Sequence, residues 1–255
     1  MKKRVVFCTY PSLYSDIVLS TLLSSADVEV VGVVISTRTA NTHDNFLRGA
    51  WRHIKRSGVY YSLYQWAVTQ GYEDSRKWRG KPSLRQRVED MGVPVLPTQN
   101  INQPDSLEFI KGIKAEILLC AHFNQLIEST LLNLPSLSCL NIHPSLLPHY
   151  KGVDPGFFML LDDAKTMGVT VHLQSEVFDE GDILMQRTLH NPPKQSLVSL
   201  NRALFQLGAD AAVDVITLDS WDPQPQSADG RYDSWPSKAQ VCLFRKQHRL
   251  LYKGF

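Results

Sequence analysis

Five short, largely apolar runs constrain the fold of this 255-residue sequence more than any other feature. They lie at residues 4–8, 28–36, 93–96, 116–121 and 137–142. Strands that are apolar along their whole length are typical of parallel sheets that helices cover on both faces. An apolar helical face at residues 15–23 follows the first run, which completes a strand, helix, strand unit. We therefore predict an α/β protein with a doubly wound, mostly parallel, Rossmann-like sheet.

The apolar pattern extends this prediction along the rest of the chain. A helix is predicted over residues 83–91, and Pro97 is expected to close the short strand that follows it. Asp105 is expected to cap the next helix. Alternating apolar residues predict a strand at residues 168–174, and residues 183–189 offer it a partner across a glycine turn. The second half of the chain therefore adds strands to the same sheet.

A long amphipathic pattern over residues 197–218 predicts the last large helix. Beyond it, prolines and a glycine break the regular order. We assign residues 1–218 to one domain, with an insertion at residues 37–82, and residues 219–255 to a short C-terminal extension.

Positive charge is concentrated in and just after this insertion. Residues 48–87 hold ten basic and two acidic side chains, a net charge of +8, whereas the whole chain carries +2 and the remainder therefore −6. Aromatic residues from Tyr60 to Trp66 are spaced as in an amphipathic helix. We favour an insertion whose aromatics pack onto the core. The alternatives are a surface for a phosphorylated acceptor, a nucleic acid or an anionic membrane.

Composition and segment lengths exclude several classes of protein. Hydrophobic residues make up 43% of the chain and charged residues 20%, the balance of a soluble globular protein. The first apolar run is too short for a signal peptide, and no apolar stretch reaches the roughly 18 residues of a membrane span. We therefore expect a cytoplasmic protein. The four cysteines lack metal or disulfide spacing, so we expect reduced thiols.

The segment Asn-Ile-His-Pro-Ser-Leu-Leu-Pro at residues 141–148 carries the strongest chemical signal. It begins at the end of the fifth apolar run, and ligand sites of open parallel sheets lie beyond the carboxyl ends of strands. Asn141 and His143 are two positions apart in extended chain, so their side chains face the same side. Flanking prolines stiffen the segment. An amide and an imidazole together suit a site where negative charge develops on oxygen.

A carboxylate provides the third element. Asp179 follows the predicted strand Gly-Val-Thr-Val-His-Leu and precedes Gly181, a place from which it can orient an imidazole and favour its charged form. Together these residues resemble the folate-dependent formyltransferase family, whose members carry an N-x-H-P-S-L-L-P segment, a G-V-T-x-H strand and a D-x-G element. The resemblance covers about residues 1–215 and is most specific over residues 116–186.

The resemblance implies a fold, a formyl donor and a set of site residues. It implies that Asn141, His143 and Asp179 are catalytic and that no metal takes part. It also implies that the donor is 10-formyltetrahydrofolate, held largely by backbone groups of two loops. The cofactor-binding candidates in those loops are Phe123, Asn124, Gln125, Leu126, Ile127, Ser175, Glu176 and Phe178. The candidates for substrate binding are His172, Tyr150, Lys151 and Gly152.

The acceptor is the least determined part of this interpretation. Glycinamide ribonucleotide enzymes carry a Gly/Ser-rich phosphate loop after the first strand, whereas this chain reads Cys-Thr-Tyr-Pro-Ser-Leu from residue 8. Methionyl-tRNA enzymes carry a C-terminal β domain, whereas only residues 219–255 follow the last predicted helix here. We therefore expect a small-molecule amine, such as an amino sugar nucleotide, rather than a nucleic acid, which the sequence does not exclude.

Three alternatives stay open. The first is methionyl-tRNA formyltransferase-like activity, in which the basic insertion takes over part of the tRNA contact. The second is hydrolysis of 10-formyltetrahydrofolate, with water replacing the amine. The third is a folate-binding or nucleic-acid-binding module with an inactive site, which the presence of Asn141, His143 and Asp179 disfavours.

Overall fold

The computed structural model describes residues 1–38, 46–190, 192–193, 196–247 and 251. Residues 39–45 of the predicted insertion lie outside the described residues. So do residues 248–250 and 252–255 of the predicted extension.

The described chain forms nine strands and nine helices. The strands are β1 (Lys3–Thr9), β2 (Val28–Ser36), β3 (Val95–Thr98), β4 (Ile117–Ala121), β5 (Ser138–His143), β6 (Lys151–Gly152), β7 (Gly168–Leu173), β8 (Ile183–Thr188) and β9 (Tyr232–Asp233). The helices are α1 (Leu13–Ser24), α2 (Phe46–Val68), α3 (Gln70–Trp78), α4 (Leu84–Asp90), α5 (Pro104–Gly112), α6 (Ser129–Leu132), α7 (Pro155–Leu161), α8 (Leu197–Thr217) and α9 (Lys238–Lys246).

Seven strands form one sheet in the order β3-β2-β1-β4-β5-β7-β8. The first five are parallel to one another. At the other edge β7 is antiparallel to β5, and β8 is antiparallel to β7. The order reverses direction at β1, as in doubly wound folds, so the carboxyl ends of β1, β4 and β5 lie side by side. The predicted α/β, mostly parallel architecture is confirmed.

Helices bury both faces of the sheet, which explains why its central strands are apolar throughout. On one face α1 and α8 pack against each other and against the sheet, with Leu19, Leu22 and Leu204 completely buried. On the other face, a second apolar cluster joins Ile110 of α5 to the strands. Three of the four free cysteines lie in this second cluster, where thiols act as small apolar groups.

Serine side chains fix the beginnings of four helices, α1, α4, α8 and α9. Ser12 accepts a hydrogen bond from the backbone N–H of Ser15 at the start of α1, and Ser196 accepts one from Ser199 at the start of α8. Ser237 and Gln240 form a reciprocal capping box at the start of α9. These caps satisfy N–H groups that a helix leaves unpaired in its first turn, so local sequence determines where each helix begins.

Two predicted boundaries were wrong. The strand after α4 is Val95–Thr98, and Pro97 lies inside it rather than closing it. This strand is at the edge of the sheet, where a missing N–H donor costs nothing. The next helix begins at Pro104 with Gln103 as its cap, and Asp105 occupies its first turn. A carboxylate there still interacts favourably with the positive end of the helix.

The predicted insertion forms α2 and α3, and the predicted extension contains β9 and α9. Gly58 interrupts α2 with φ 83°, which divides it into two helical parts. Tyr61 and Tyr64 of the second part are buried against the core, whereas Trp66 is exposed. The assignment of residues 1–218 and 219–255 to separate parts stays a prediction. In the described part of the chain, no helix combines the length and apolarity that a bilayer crossing requires.

Candidate active site

Asn141 and His143 lie at the carboxyl end of β5, on one side of the strand. The antiparallel strand β7 places His172 directly opposite Asn141 and Thr170 opposite His143. Asp179 follows β7 after a short loop and returns to the same side. The side chains of Asn141, His143, His172 and Asp179 therefore lie close together at this edge.

His172 holds the amide of Asn141 in one orientation. Its Nδ1 lies 2.7 Å from the carbonyl oxygen of Leu173 and its Nε2 lies 3.1 Å from Nδ2 of Asn141. Since the carbonyl accepts only, Nδ1 carries the hydrogen and Nε2 accepts from the Asn141 amide. Burial lowers the pKa of His172 to about 4, against the attraction of Asp179, so the ring is neutral near pH 7. One amide hydrogen of Asn141 remains available.

His143 carries a positive charge in this arrangement. Its Nδ1 lies 3.3 Å from Oδ1 of Asp179, and its Nε2 lies 2.9 Å from the carbonyl oxygen of Tyr150. Both partners accept hydrogen bonds, so both ring nitrogens are donors. Burial lowers the pKa of His143, but the Asp179 carboxylate and the Tyr150 carbonyl outweigh it, and the pKa is raised overall. Because both N–H groups are used, His143 contributes charge rather than a free donor.

Asp179 is a buried carboxylate that stays ionised. Its Oδ1 faces His143, and its Oδ2 accepts a 2.8 Å hydrogen bond from the backbone N–H of Gly152. Burial raises the pKa of Asp179, but His143, His172 and the Gly152 N–H more than compensate and lower it to about 2. The pair is therefore a carboxylate and an imidazolium shielded from water, and electrostatic interactions are stronger there than at the surface.

Thr170 and Gln186 hold the proline-rich segment that follows His143. The Thr170 hydroxyl donates to the Ser145 carbonyl oxygen at 2.7 Å and accepts from the Leu147 N–H at 3.0 Å. Gln186 donates to the Leu147 carbonyl oxygen at 2.7 Å. The peptide bond between Leu147 and Pro148 is cis. Neighbouring strands therefore fix the segment, so the Tyr150 carbonyl oxygen lies at a defined distance from His143.

Lys151 and Gly152 form the short strand β6, which pairs with β9 of the extension. Lys151 is buried, and its Nζ lies 2.8 Å from Oε1 of Glu180. Gly152 has φ 96°, a conformation that suits glycine, and a Cβ there would overlap the backbone of Asp233. This turn therefore requires glycine because it brings the Gly152 N–H to Asp179 while the extension packs against it.

The extension also holds the turn that carries Asp179. Nε2 of Gln226 donates to the carbonyl oxygen of Asp179 at 2.9 Å and to that of Gly181 at 2.6 Å. Asp179 has φ 59°, in the left-handed region, so this turn gains from outside support. Gln226 is separated from Asp179 by many residues, and no local motif in the sequence marked it.

We expect Gln226→Ala to lower kcat by roughly threefold to tenfold and the free energy of unfolding by about 1–2 kcal/mol, the cost of leaving buried carbonyls unpaired. The decrease in kcat should follow from a less well-defined Asp179. Steady-state kinetics and urea unfolding would measure the two effects. Gln224→Ala is the matched control, because the Gln224 side chain is exposed and donates to the nearby Asp222 carbonyl rather than to the Asp179 turn. Equal kinetics for both variants would contradict the role given to Gln226.

The first loop predicted to bind the cofactor uses several side chains for its own structure. Oε1 of Gln125 accepts from the Ile101 N–H at 2.6 Å, and Nε2 donates to Ser36 at 2.8 Å. Ile127 is completely buried in the second apolar cluster. Asn124 accepts from the Ser36 hydroxyl, and Phe123 and Leu126 are half-buried. These contacts fix the loop backbone, and backbone contact with a pterin stays a prediction.

The second predicted loop presents apolar side chains to solvent beside Asp179. Val177 is 61% exposed and Phe178 is 40% exposed, which is unusual for residues adjoining a buried carboxylate. Glu176 is exposed, and the Ser175 hydroxyl donates to the Val177 carbonyl oxygen at 2.8 Å. An exposed aromatic ring next to a polar cluster provides a surface on which a flat heterocycle can pack.

Within the described residues, no group of three or more His, Cys, Asp or Glu side chains is arranged to hold a metal ion. Of the candidates for substrate binding, His172, Lys151 and Gly152 all contact catalytic candidates or their turn. Tyr150 contributes its backbone carbonyl to His143. The structure therefore brings these residues together in one cluster, and Gln226, Glu180 and Thr170 join it unpredicted.

Comparison with protein families places this arrangement in a known group. The sequence profile of the formyl transferase family matches residues 75–216, more than half of the chain. The chain belongs to the formyl transferase family. The match contains every polar residue of the cluster described above except Gln226. The resemblance inferred from residues 116–186 is thereby confirmed.

Curated relatives of this formyl transferase family member include methionyl-tRNA formyltransferases. That of Syntrophus aciditrophicus is 36% identical over 155 residues, covering 59% of this chain and 49% of the relative. That of Thermotoga neapolitana is 31% identical over 153 residues, covering 58% of this chain and 48% of the relative. The chain spans about half the length of the curated relatives it matches.

Solved structures show the same fold as this formyl transferase family member. A sugar N-formyltransferase from a Shewanella species superimposes with a TM-score of 0.58 at 18% identity, covering 91% of this chain and 76% of that one. Glycinamide ribonucleotide transformylase 1 from Symbiobacterium toebii gives a TM-score of 0.57 at 16% identity, covering 89% and 95%. An N-formyltransferase from Helicobacter canadensis, solved with folinic acid and dTDP-3-aminofucose, gives a TM-score of 0.55 at 16% identity. The match covers 92% of this chain and 71% of that one.

Proposed function

We propose that this protein transfers a formyl group from 10-formyltetrahydrofolate to a primary amine of a small acceptor, such as an amino sugar nucleotide. The observation that carries the proposal is the buried cluster of Asn141, His143 and Asp179 at the carboxyl edge of the sheet, in a chain that belongs to the formyl transferase family. An oriented amide and a buried cation suit a reaction in which negative charge develops on a carbonyl oxygen.

Each residue has a distinct part in this proposal. The second amide hydrogen of Asn141, which His172 does not use, donates to the formyl oxygen. His143 stabilises the negative charge on that oxygen through its own positive charge, and Asp179 keeps His143 protonated. These contributions act only while charge develops, so they lower the barrier rather than strengthen binding of the reactants.

The residues present fit the formyl donor. Exposed Phe178 and Val177 adjoin Asp179, and the first loop offers backbone groups held in place by Gln125. When bound, 10-formyltetrahydrofolate supplies an activated formyl group. The sugar N-formyltransferase of the Shewanella species and the Helicobacter canadensis N-formyltransferase bound to folinic acid and dTDP-3-aminofucose match the fold of most of this chain, which supports a small amine acceptor.

A second candidate is methionyl-tRNA formylation. It is favoured by the identity of 36% with the enzyme of Syntrophus aciditrophicus and by the net charge of +8 at residues 48–87. A tRNA is a polyanion, and basic side chains are the usual means of binding it. The same cluster would carry the chemistry for either acceptor.

The test supplies purified protein with 10-formyltetrahydrofolate and one acceptor at a time: amino sugar nucleotides, methionyl-tRNA, glycinamide ribonucleotide or none. Tetrahydrofolate formation and the mass of the acceptor are measured together. We expect folate turnover that depends on an amino sugar nucleotide and produces its formamide. Formylated methionyl-tRNA alone would support the second candidate. Release of formate that no amine accelerates would indicate a hydrolase and contradict both proposals.

A further inference from the structure

The second part of α2, after the interruption at Gly58, is apolar on two opposite faces. Tyr61, Tyr64 and Val68 form the first face and are buried against the core. Val59, Leu63 and Trp66 recur at intervals of four and three residues, so they lie on one stripe of the helix, on the side facing away from the core. A surface helix needs only one apolar face to fold onto its own domain.

The outer stripe is open to solvent. Val59 is 58% exposed, Leu63 57% and Trp66 52%, and the ring of Trp66 covers Gly71 of α3. Trp51 is 68% exposed at the other end of α2, and Trp78 is 88% exposed at the end of α3. Val59, Leu63 and Trp66 share one stripe, and an exposed apolar stripe of this kind marks an interaction site.

Basic side chains accompany this stripe. Arg76, Arg85 and Arg87 pair with acidic residues of the chain. Lys55, Arg56, Lys77 and Lys81 of these helices and of the residues just after them are exposed. The segment that carries the stripe therefore also carries exposed positive charge.

This combination selects one kind of partner. A two-fold contact with a second copy of the chain would bring one basic segment against another, which like-charge repulsion disfavours. RNA is recognised through stacking on aromatic rings and through basic side chains. The exposed aliphatic side chains of Val59 and Leu63 provide neither of these contacts. An anionic bilayer surface accommodates aliphatic, tryptophan and basic side chains together. The aliphatic and tryptophan side chains enter the interface, while Lys and Arg remain among the headgroups.

We propose that the outer face of α2 and α3 docks the protein on an anionic membrane surface. The docking is peripheral, so it requires no membrane-spanning helix. It does not depend on the catalytic cluster. It also gives a function to the basic, aromatic insertion, because packing of Tyr61 and Tyr64 alone does not explain its exposed apolar side chains or its charge.

Co-sedimentation with vesicles tests the proposal. The full chain is mixed with vesicles of phosphatidylcholine alone or of phosphatidylcholine with phosphatidylglycerol, at low and at high salt. We expect binding to the anionic vesicles only, and weaker binding at high salt because ions screen the basic residues. The double variant Val59→Ser with Leu63→Ser should reduce the partition coefficient by about tenfold or more, since two aliphatic side chains no longer enter the interface.

Matched variants separate this surface from general effects. Met91→Ser with Leu218→Ser removes two other exposed apolar side chains, 53% and 47% exposed, and should bind vesicles as the wild type does. Lys77→Glu with Lys81→Glu should reduce binding, whereas Lys2→Glu with Lys3→Glu should not. Failure of the wild type to bind anionic vesicles would overturn the proposal. Binding of RNA instead of vesicles, with an affinity that the Val59 and Leu63 substitutions do not reduce, would also overturn the proposal.

Discussion

Replacing His143 with alanine is expected to lower kcat for formyl transfer by about a thousandfold while leaving folate affinity nearly unchanged. The variant removes the only imidazolium of the cluster, and loss of one group that stabilises a developing oxyanion costs roughly two to three orders of magnitude. The pterin is expected to contact backbone groups of two loops that do not contain His143. Single-turnover kinetics with the identified acceptor and fluorescence titration with folinic acid would measure the two quantities.

His149→Ala is the control for this prediction. His149 lies in the same proline-rich segment and is exposed, and it contributes its backbone carbonyl, not its ring, to the Ser145 hydroxyl. We expect the kinetics of His149→Ala to match those of the wild type. Turnover by His143→Ala within a few-fold of the wild-type rate would exclude a catalytic function for the buried cation. Loss of folinic acid binding in the same variant would assign His143 to donor binding instead.

Part of this cluster could be predicted from the sequence because it depends on local geometry. Asn141 and His143 are two positions apart in a strand, so any extended conformation places them on one side. The continuous apolar run before them predicted a buried parallel strand, which directs its carboxyl end to the ligand-binding edge. The approach of Asp179 followed from a family resemblance, because no spacing rule connects residues of two separate strands.

Other parts could not be predicted because they depend on tertiary contacts. Gln226 reaches the Asp179 turn from the extension, and its segment has no periodic pattern. The pairing of β6 with β9 involves two residues on each side, which is too short for a strand signal. Apolar spacing predicted a helix around Tyr60 to Trp66 but could not tell which face is buried, because Tyr61 and Leu63 make both faces apolar. Only packing against α8 and the extension resolves that choice.

The cluster illustrates how burial and pairing divide the functions of two histidines. His143 and His172 are both buried, with ring centroids 6.5 Å apart, yet the pKa of one is raised and that of the other lowered. Oδ1 of Asp179 is 3.3 Å from His143 and 4.0 Å from His172, the Tyr150 carbonyl also favours the charged form of His143, and the charge of His143 in turn lowers the pKa of His172. A single carboxylate that is closer to one ring can therefore keep one histidine charged and the other neutral.

Replacing Asp179 with asparagine should change the pH dependence of the enzyme as well as its rate. Asparagine keeps the size of the side chain, still accepts from the Gly152 N–H and tolerates φ 59°. Without the carboxylate, burial dominates and the pKa of His143 falls, so the ring is neutral near pH 7. We expect kcat at neutral pH to fall by about 10²–10³-fold. Activity of the variant should rise toward acidic pH, whereas wild-type activity should decline only as pH increases through the raised pKa of His143.

The same substitution is expected to lower the free energy of unfolding, by an amount that depends on pH. Asp179, with its pKa lowered to about 2, contributes stability above its unfolded pKa of about 3.9 and loses it as pH falls through about 2. His143, with its pKa raised, contributes stability below its unfolded value of about 6.5 and loses it as pH rises through the folded value. The free energy of unfolding of the wild type should therefore exceed that of Asp179→Asn most between about pH 4 and 6.5. Urea unfolding across pH would measure this difference, with exposed Asp182→Asn as the control; a difference independent of pH would show that Asp179 and His143 are not coupled.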